Sequence, residues 1–219
     1  MKIKVAPSIL SADFSAMGEA VEKLEKAGAD MVHCDVMDGI FVPNITFGPK
    51  MVSDIKKCTR LPLDVHLMID RPERYLDEFV KAGADYITVH YEATRDAAAT
   101  LRSIREKGVK SGLVLNPDTD ADVAAALLPY CDMLLIMSVY PGFGGQKYIP
   151  ASTEKIRKAR KLIDESGYGI LLEADGGITP DNAGEVIRAG TDVIVAGSAV
   201  FGAADMKAAV SALKVAGQA

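Results

Sequence analysis

Apolar residues along the chain fall into two alternating patterns. Short runs rich in Val, Ile and Leu take turns with longer stretches whose apolar positions recur at the helical period. The first pattern is what a strand buried on both faces requires, and the second is what an amphipathic helix requires. Strand-like runs lie near residues 3–10, 31–37, 62–68, 85–91, 110–116, 133–139, 169–175 and 192–197. Helix-like stretches lie near 15–28, 49–58, 72–82, 96–107, 121–128, 152–166, 181–189 and 204–215. Several helix starts carry local signals, with proline or an acidic residue in the first turn: Arg71-Pro72-Glu73, Ser152-Thr153-Glu154 and Thr179-Pro180-Asp181.

One phrase recurs three times. Lys26-Ala-Gly-Ala-Asp30, Lys81-Ala-Gly-Ala-Asp85 and Arg188-Ala-Gly-Thr-Asp192 each stand directly before a β-branched run. A cation opposes the helix dipole, glycine takes the left-handed cap, and a strand begins at once. The copies are spaced by 55 and 107 residues, close to two and four multiples of the about 27 residues that each of eight equal units would occupy in a chain of 219. Strict alternation with short connections and no break in composition predicts an α/β protein with parallel strands, a single (β/α)8 TIM barrel over residues 1–219. The rival, a doubly wound open sheet, lacks its nucleotide fingerprint, since Ala6-Pro-Ser-Ile-Leu-Ser-Ala12 follows the first strand.

Composition narrows the function classes. With 49% hydrophobic residues and a net charge of −5, the chain is no disordered segment. Its longest apolar runs, such as Met133–Met137, fall far short of the roughly 20 residues that span a bilayer, so no membrane partner is expected. Thirty acidic against 25 basic residues argue against a nucleic-acid groove and favour a small-molecule substrate. The opening Met1-Lys-Ile-Lys-Val-Ala-Pro7 has no apolar stretch and reads as no signal peptide. Three scattered cysteines, Cys34, Cys58 and Cys131, point to a reducing cytoplasm.

A barrel carries its chemistry at the C-terminal ends of its strands, and all three histidines are expected near such ends. His33-Cys-Asp35 puts an imidazole and a carboxylate on one face of the second strand, and Asp64-Val-His66 repeats the alternation on the third. Glu173-Ala-Asp175 ends the seventh before a Gly-Gly turn. His90, with only Glu92 as an acidic neighbour, reads as a hydrogen-bonded core or rim residue. Burying His33, Asp35, His66 and Asp175 together is costly unless they pair in a polar network or bind a cation. As ligands, their mixed nitrogen and oxygen donors suit one divalent ion, Zn2+, Fe2+, Mn2+ or Co2+. Three glycine-bearing segments offer backbone N–H groups to an anion: Pro141-Gly-Phe-Gly-Gly-Gln146, Asp175-Gly-Gly-Ile178 and Ala196-Gly-Ser-Ala-Val200. No P-loop lysine pattern accompanies them.

Pro7–Phe14, His33–Asn44, Asp64–Met68, Met137–Gln146, Asp175–Ile178 and Ala196–Phe201, taken in order, closely resemble the ribulose-phosphate 3-epimerases over essentially the whole chain. The resemblance implies a metal-dependent barrel that interconverts D-ribulose 5-phosphate and D-xylulose 5-phosphate. It makes His33, Asp35, His66 and Asp175 the metal ligands, and Asp35 and Asp175 the acid/base pair working through a 2,3-enediolate. It makes Ser8, His66, Gly142, Phe143, Gly144, Gly145, Asp175, Gly176, Gly177, Gly197 and Ser198 substrate contacts. Met37 and Met68 share strand parity with Asp35 and His66, so they are expected to line the pocket unless they are ordinary core filler. The 142–145 loop is expected to serve as a lid.

One residue departs from the family pattern. Tyr140 stands where the family usually has Asn, beside the predicted phosphate loop. D-allulose 6-phosphate is therefore the alternative substrate, although Asp175-Gly-Gly and Phe143-Gly-Gly match the pentulose pattern. Rival activities fit these residues less well. A phosphosugar-binding barrel without catalysis does not account for two acids beside two histidines. A decarboxylase of the orotidine-phosphate type needs a lysine that Asp35-Val-Met-Asp38 lacks, and no His-x-His for a metallohydrolase stands on the first strand. A homo-oligomer is expected, although no apolar stripe on the outer helices marks its interface.

Overall fold

The computed structural model describes residues 3–218; Met1 and Lys2, the start of the segment read as no signal peptide, lie outside them. Eight parallel strands form one sheet: β1 (Lys4–Pro7), β2 (Val32–Met37), β3 (Leu63–Met68), β4 (Tyr86–His90), β5 (Lys110–Leu115), β6 (Met133–Met137), β7 (Leu171–Asp175) and β8 (Val193–Ala196). Each pairs with its neighbour in sequence, β1 pairs with β8, and a parallel bridge between Ser8 and His33 closes the ring between β1 and β2. Every expected strand is present, and the closed ring is the expected barrel.

Helices cover the outside: α1 (Met17–Ala27), α2 (Pro49–Cys58), α3 (Leu76–Lys81), α4 (Ala97–Glu106), α5 (Ser152–Ser166), α6 (Pro180–Arg188), the single turn α7 (Ser198–Phe201) and α8 (Met206–Val215). In α1, Met17, Val21, Leu24 and Ala27 form one buried stripe, and Gly28 ends the helix at φ 84° with its N–H on the Leu24 and Glu25 carbonyls. Two expected helices differ. The 72–82 stretch divides into a 3-10 turn, Pro72–Arg74, and α3. The 121–128 stretch is two 3-10 turns, Ala121–Ala124 and Leu128–Tyr130. There Asp120 caps the first turn and Pro129 stands within the second, leaving too few residues between them for a helix to propagate.

The repeated phrase has a structural purpose. Asp30, Asp85 and Asp192 each donate the backbone N–H to the carbonyl of a residue opening the strand before, and accept that residue's N–H on Oδ2. The partners are Val5, Leu63 and Leu172, with N–H···Oδ2 distances of 2.9, 2.7 and 2.8 Å. Asp132 does the same for Ser111 at 3.0 Å without the Ala-Gly phrase, so the clasp recurs before every even-numbered strand. A cation holds each one: Lys214 on Asp30, Lys56 on Asp85, Lys110 on Asp132 and Arg160 on Asp192. These clasps line the N-terminal end, opposite the chemistry. Asp192→Ala is expected to cost about 1–3 kcal/mol, since it leaves the Leu172 N–H buried and unpaired. Chemical denaturation should show that loss while kcat stays at the wild-type value.

Inside the ring the side chains form layers. Ala6, Met31, Met133, Val193 and Val195 form one buried apolar cluster. On β2 and β3 the outward residues Val32, Cys34, Val36, Leu63, Val65 and Leu67 pack under the helices, which turns the residues between them inward. Above the apolar floor lies a fully buried polar layer that includes His33, Asp64, His66, Thr88, His90 and Glu173.

Candidate active site

His33 is the second residue of β2, nearer the start of its strand than the end, and the ladder register sets it opposite Asp64. Asp35, one inward position further on, lies opposite His66. This register turns two local alternations into one cluster. Asp35 Oδ1 lies 3.3 Å from both His33 Nε2 and His66 Nδ1, which are themselves 3.3 Å apart. Asp175 at the end of β7 completes the set, its Oδ2 3.8 Å from His33 and 3.9 Å from His66. One ligand atom from each of the four lies within 4.8 Å of all the others. Ligands bound about 2.1 Å from a tetrahedral ion stand roughly 3.4 Å apart, so the four side chains fit a single divalent ion.

The surroundings set the charge. Asp64 Oδ2 lies 2.5 Å from His33 Nδ1, so that nitrogen is taken up by the carboxylate behind it and Nε2 is the one that faces Asp35. Burial opposes charge on His33, but Asp35 and Asp64 outweigh it and raise its pKa well above the ordinary histidine value. Burial likewise resists ionisation of Asp35, yet His33 and His66 hold its carboxyl below the usual range, and Ser8 Oγ donates to its Oδ2 at 2.5 Å. Burial and the facing Asp35 push Asp175 up to about 6. Behind the cluster, burial and Asp64 raise Glu173 well above the usual carboxylate range, which keeps this fully enclosed side chain neutral.

Above the cluster opens a cavity of about 430 Å3. Asp35 and Asp175 lie in its wall beside Met37, Met68 and Met137, so both methionines expected at the pocket are there. Ser8, Gly142, Phe143, Gly144, Gly145, Gly176, Gly177, Gly197 and Ser198 line it as well. His33 and His66 are fully buried below, and His66, expected also to touch substrate, does not line the cavity. The Gly-Gly turn is sterically required: Gly176 has φ 125° and Gly177 φ 66°, and a Cβ on Gly177 would collide with the Tyr148 backbone nitrogen. The 142–145 loop is tethered by Gln146 Nε2, which donates to the Tyr140 and Phe143 carbonyls, and by Asn44 Nδ2, which donates to the Gly142 carbonyl. Tyr140 is 54% exposed, donates its hydroxyl to Asp118 and does not line the cavity, so the bulk that distinguishes it from Asn is directed away from that space.

Two residues of this neighbourhood had no strong signal in the chain. His90 is fully buried with Nε2 2.8 Å from His66 Nε2, and Glu92 lies 3.4 Å beyond its Nδ1. Hydrogen bonds from His90, Thr119 and the Asn116 backbone overcome the cost of burial and hold Glu92 down at about 2. Inward parity with Thr88 would have pointed His90 into the ring; its partner across β3 depends on the ladder.

Among solved structures, the fold is similar to 3-hexulose-6-phosphate synthase from Salmonella typhimurium (TM-score 0.69, 21% identity, 98% of each chain). It is also similar to the tryptophan synthase α-subunit from Pyrococcus furiosus (TM-score 0.71, 14% identity, 97% of each chain). These likenesses are of fold alone. Sequence relatives are far closer. The ribulose-phosphate 3-epimerase of Bacillus subtilis is 51% identical over 97% of this chain and 98% of its own, that of Synechocystis 53% over 97% and 93%, and that of Escherichia coli 46% over 96% and 94%. Residues 4–201 match the ribulose-phosphate 3 epimerase family. The chain belongs to the ribulose-phosphate 3-epimerase family, isomerases of sugar phosphates.

Proposed function

We propose that this epimerase interconverts D-ribulose 5-phosphate and D-xylulose 5-phosphate as a divalent-metal enzyme, with the whole chain acting as one catalytic barrel. The observation that carries the reading is the convergence of His33, Asp35, His66 and Asp175 beneath a cavity whose far wall is glycine-rich. The negative field that favours a proton on His33 also favours a cation among the four, and the donor set suits Zn2+, Fe2+, Mn2+ or Co2+. When bound, the ion supplies the positive charge that a 2-keto sugar needs to lose its C3 proton.

The chain's own residues do the rest. Asp35 on β2 and Asp175 on β7 reach the cavity from strands three places apart round the ring. One carboxylate takes the C3 proton from one face while the other, protonated, returns a proton to the opposite face; the reverse reaction exchanges their roles. Ser8, through its bond to Asp35 Oδ2, fixes that carboxylate's direction. Gly176, Gly177, Gly197 and Ser198 offer backbone N–H groups and a hydroxyl to the phosphate, with Gly142, Phe143, Gly144 and Gly145 along the rim, and Met37, Met68 and Met137 keep the reacting face dry. The unpaired cysteines Cys34, Cys58 and Cys131 support a cytoplasmic setting. In deuterated water, ribulose 5-phosphate should yield xylulose 5-phosphate labelled at C3. Unlabelled product would overturn the two-carboxylate reading.

A further inference from the structure

We propose that His90 and Glu92 are positioning residues that hold His66 in the tautomer able to bind the cation. The inference rests on the metal reading above and goes beyond it to two residues outside the ligand set.

The proton positions follow inward from Glu92. Oε2 of its carboxylate stands 3.4 Å from His90 Nδ1, and its negative charge favours the proton on that nitrogen over Nε2. A neutral imidazole with its proton on Nδ1 presents a bare lone pair at Nε2. His66 Nε2, 2.8 Å away, must therefore donate, which leaves the lone pair of His66 on Nδ1. That nitrogen is the one facing Asp35 Oδ1 at 3.3 Å and Asp175 Oδ2 at 3.9 Å. This arrangement leaves His66 Nδ1 free to hold a cation; with its proton on Nδ1 instead, His66 would donate to Asp35 and could not serve as a ligand.

Packing holds the relay rigid. The His66 and His90 rings lie 4.9 Å apart between centroids with planes 21° apart, meeting through their Nε2 edges, and Phe41 packs on His90 at 4.8 Å. Glu92 is anchored by the Asn116 backbone N–H and the Thr119 hydroxyl. The two imidazoles of the site thus have matching supports. Asp64 acts on His33 directly, and Glu92 acts on His66 through His90. A ligand imidazole whose second nitrogen is so held loses little orientational freedom on binding and is more basic at the first.

Cobalt(II) titration of the chelator-stripped protein, followed by its visible absorption, tests this in wild type and in His90→Leu, His90→Gln, Glu92→Gln and His33→Ala. Loss of the relay should weaken Co2+ binding at least tenfold in His90→Leu and Glu92→Gln, with the metal-free melting temperature of Glu92→Gln unchanged. His90→Gln, whose amide can both accept and donate, should recover most of the affinity. Wild-type affinity in both His90→Leu and Glu92→Gln would overturn the relay while His33→Ala still reports the metal site. If His90→Leu does not fold, Glu92→Gln decides. A wild-type protein that binds no Co2+, or a His33→Ala that binds it equally well, would overturn the metal reading and the relay together.

Discussion

Asp35→Asn and Asp175→Asn are each expected to lower kcat by about 10^3-fold or more, a barrier increase of roughly 4 kcal/mol, while the barrel stays folded. The substitutions keep shape and hydrogen-bonding capacity but remove the ability to exchange a proton. Both side chains face the cavity, and neither contributes to the apolar packing under the helices. Circular dichroism should therefore stay near wild type, and so should the melting curve of the metal-free protein. The two mutants should differ in one informative way. A site that keeps only one competent carboxylate can still remove the C3 proton from the epimer facing it. Each mutant should then exchange the C3 hydrogen of one epimer with solvent without inverting it, and the two mutants should choose opposite epimers. Inversion at near-wild-type rate in either mutant would take that residue out of the mechanism.

Removing the ion should have an effect of similar size. After exhaustive chelation turnover should be lost, and adding back Zn2+, Fe2+, Mn2+ or Co2+ one at a time should restore it and rank the ions. The stability of the protein should follow. An ion at 100 times its dissociation constant adds about 2.7 kcal/mol to the folded state, which a melting curve resolves easily. The physical reason is the buried negative field: Asp35 and Asp64 both favour a cation at the floor of the cavity, where little water competes. Undiminished activity in rigorously stripped protein would defeat the metal reading.

Much of the fold was legible in the chain because a barrel is built from local rules repeated. The Val/Ile/Leu runs marked all eight strands, and the Lys-Ala-Gly-Ala-Asp phrase marked the helix ends before β2 and β4. What that phrase does was not legible. Asp30, Asp85 and Asp192 clasp residues some twenty positions earlier, and Asp132 joins them with no phrase at all. The expected helix at 121–128 failed because helical propensity over a few residues yields to a cap at Asp120 and a proline at 129.

The site divides along the same line. Alternation on single strands, His33 with Asp35 and Asp64 with His66, was enough to mark them as one-faced pairs, because side-chain direction follows strand parity. The ring order and the ladder register, which no local rule encodes, decided the rest. A ladder that sets His33 opposite Asp64, Asp35 opposite His66 and His66 opposite Thr88 makes Asp64 a support of His33, and brings His66 against His90 on the next strand. It also seals Glu173 in the interior, and the loop after β6 sends Tyr140 outward to Asp118, away from the cavity. By itself the chain determined its strands, its helix ends and the residue types at the mouth, because these depend on neighbours within a few positions. Only the closed barrel decided which of them meet, because those distances are set by how eight strands stagger round a ring.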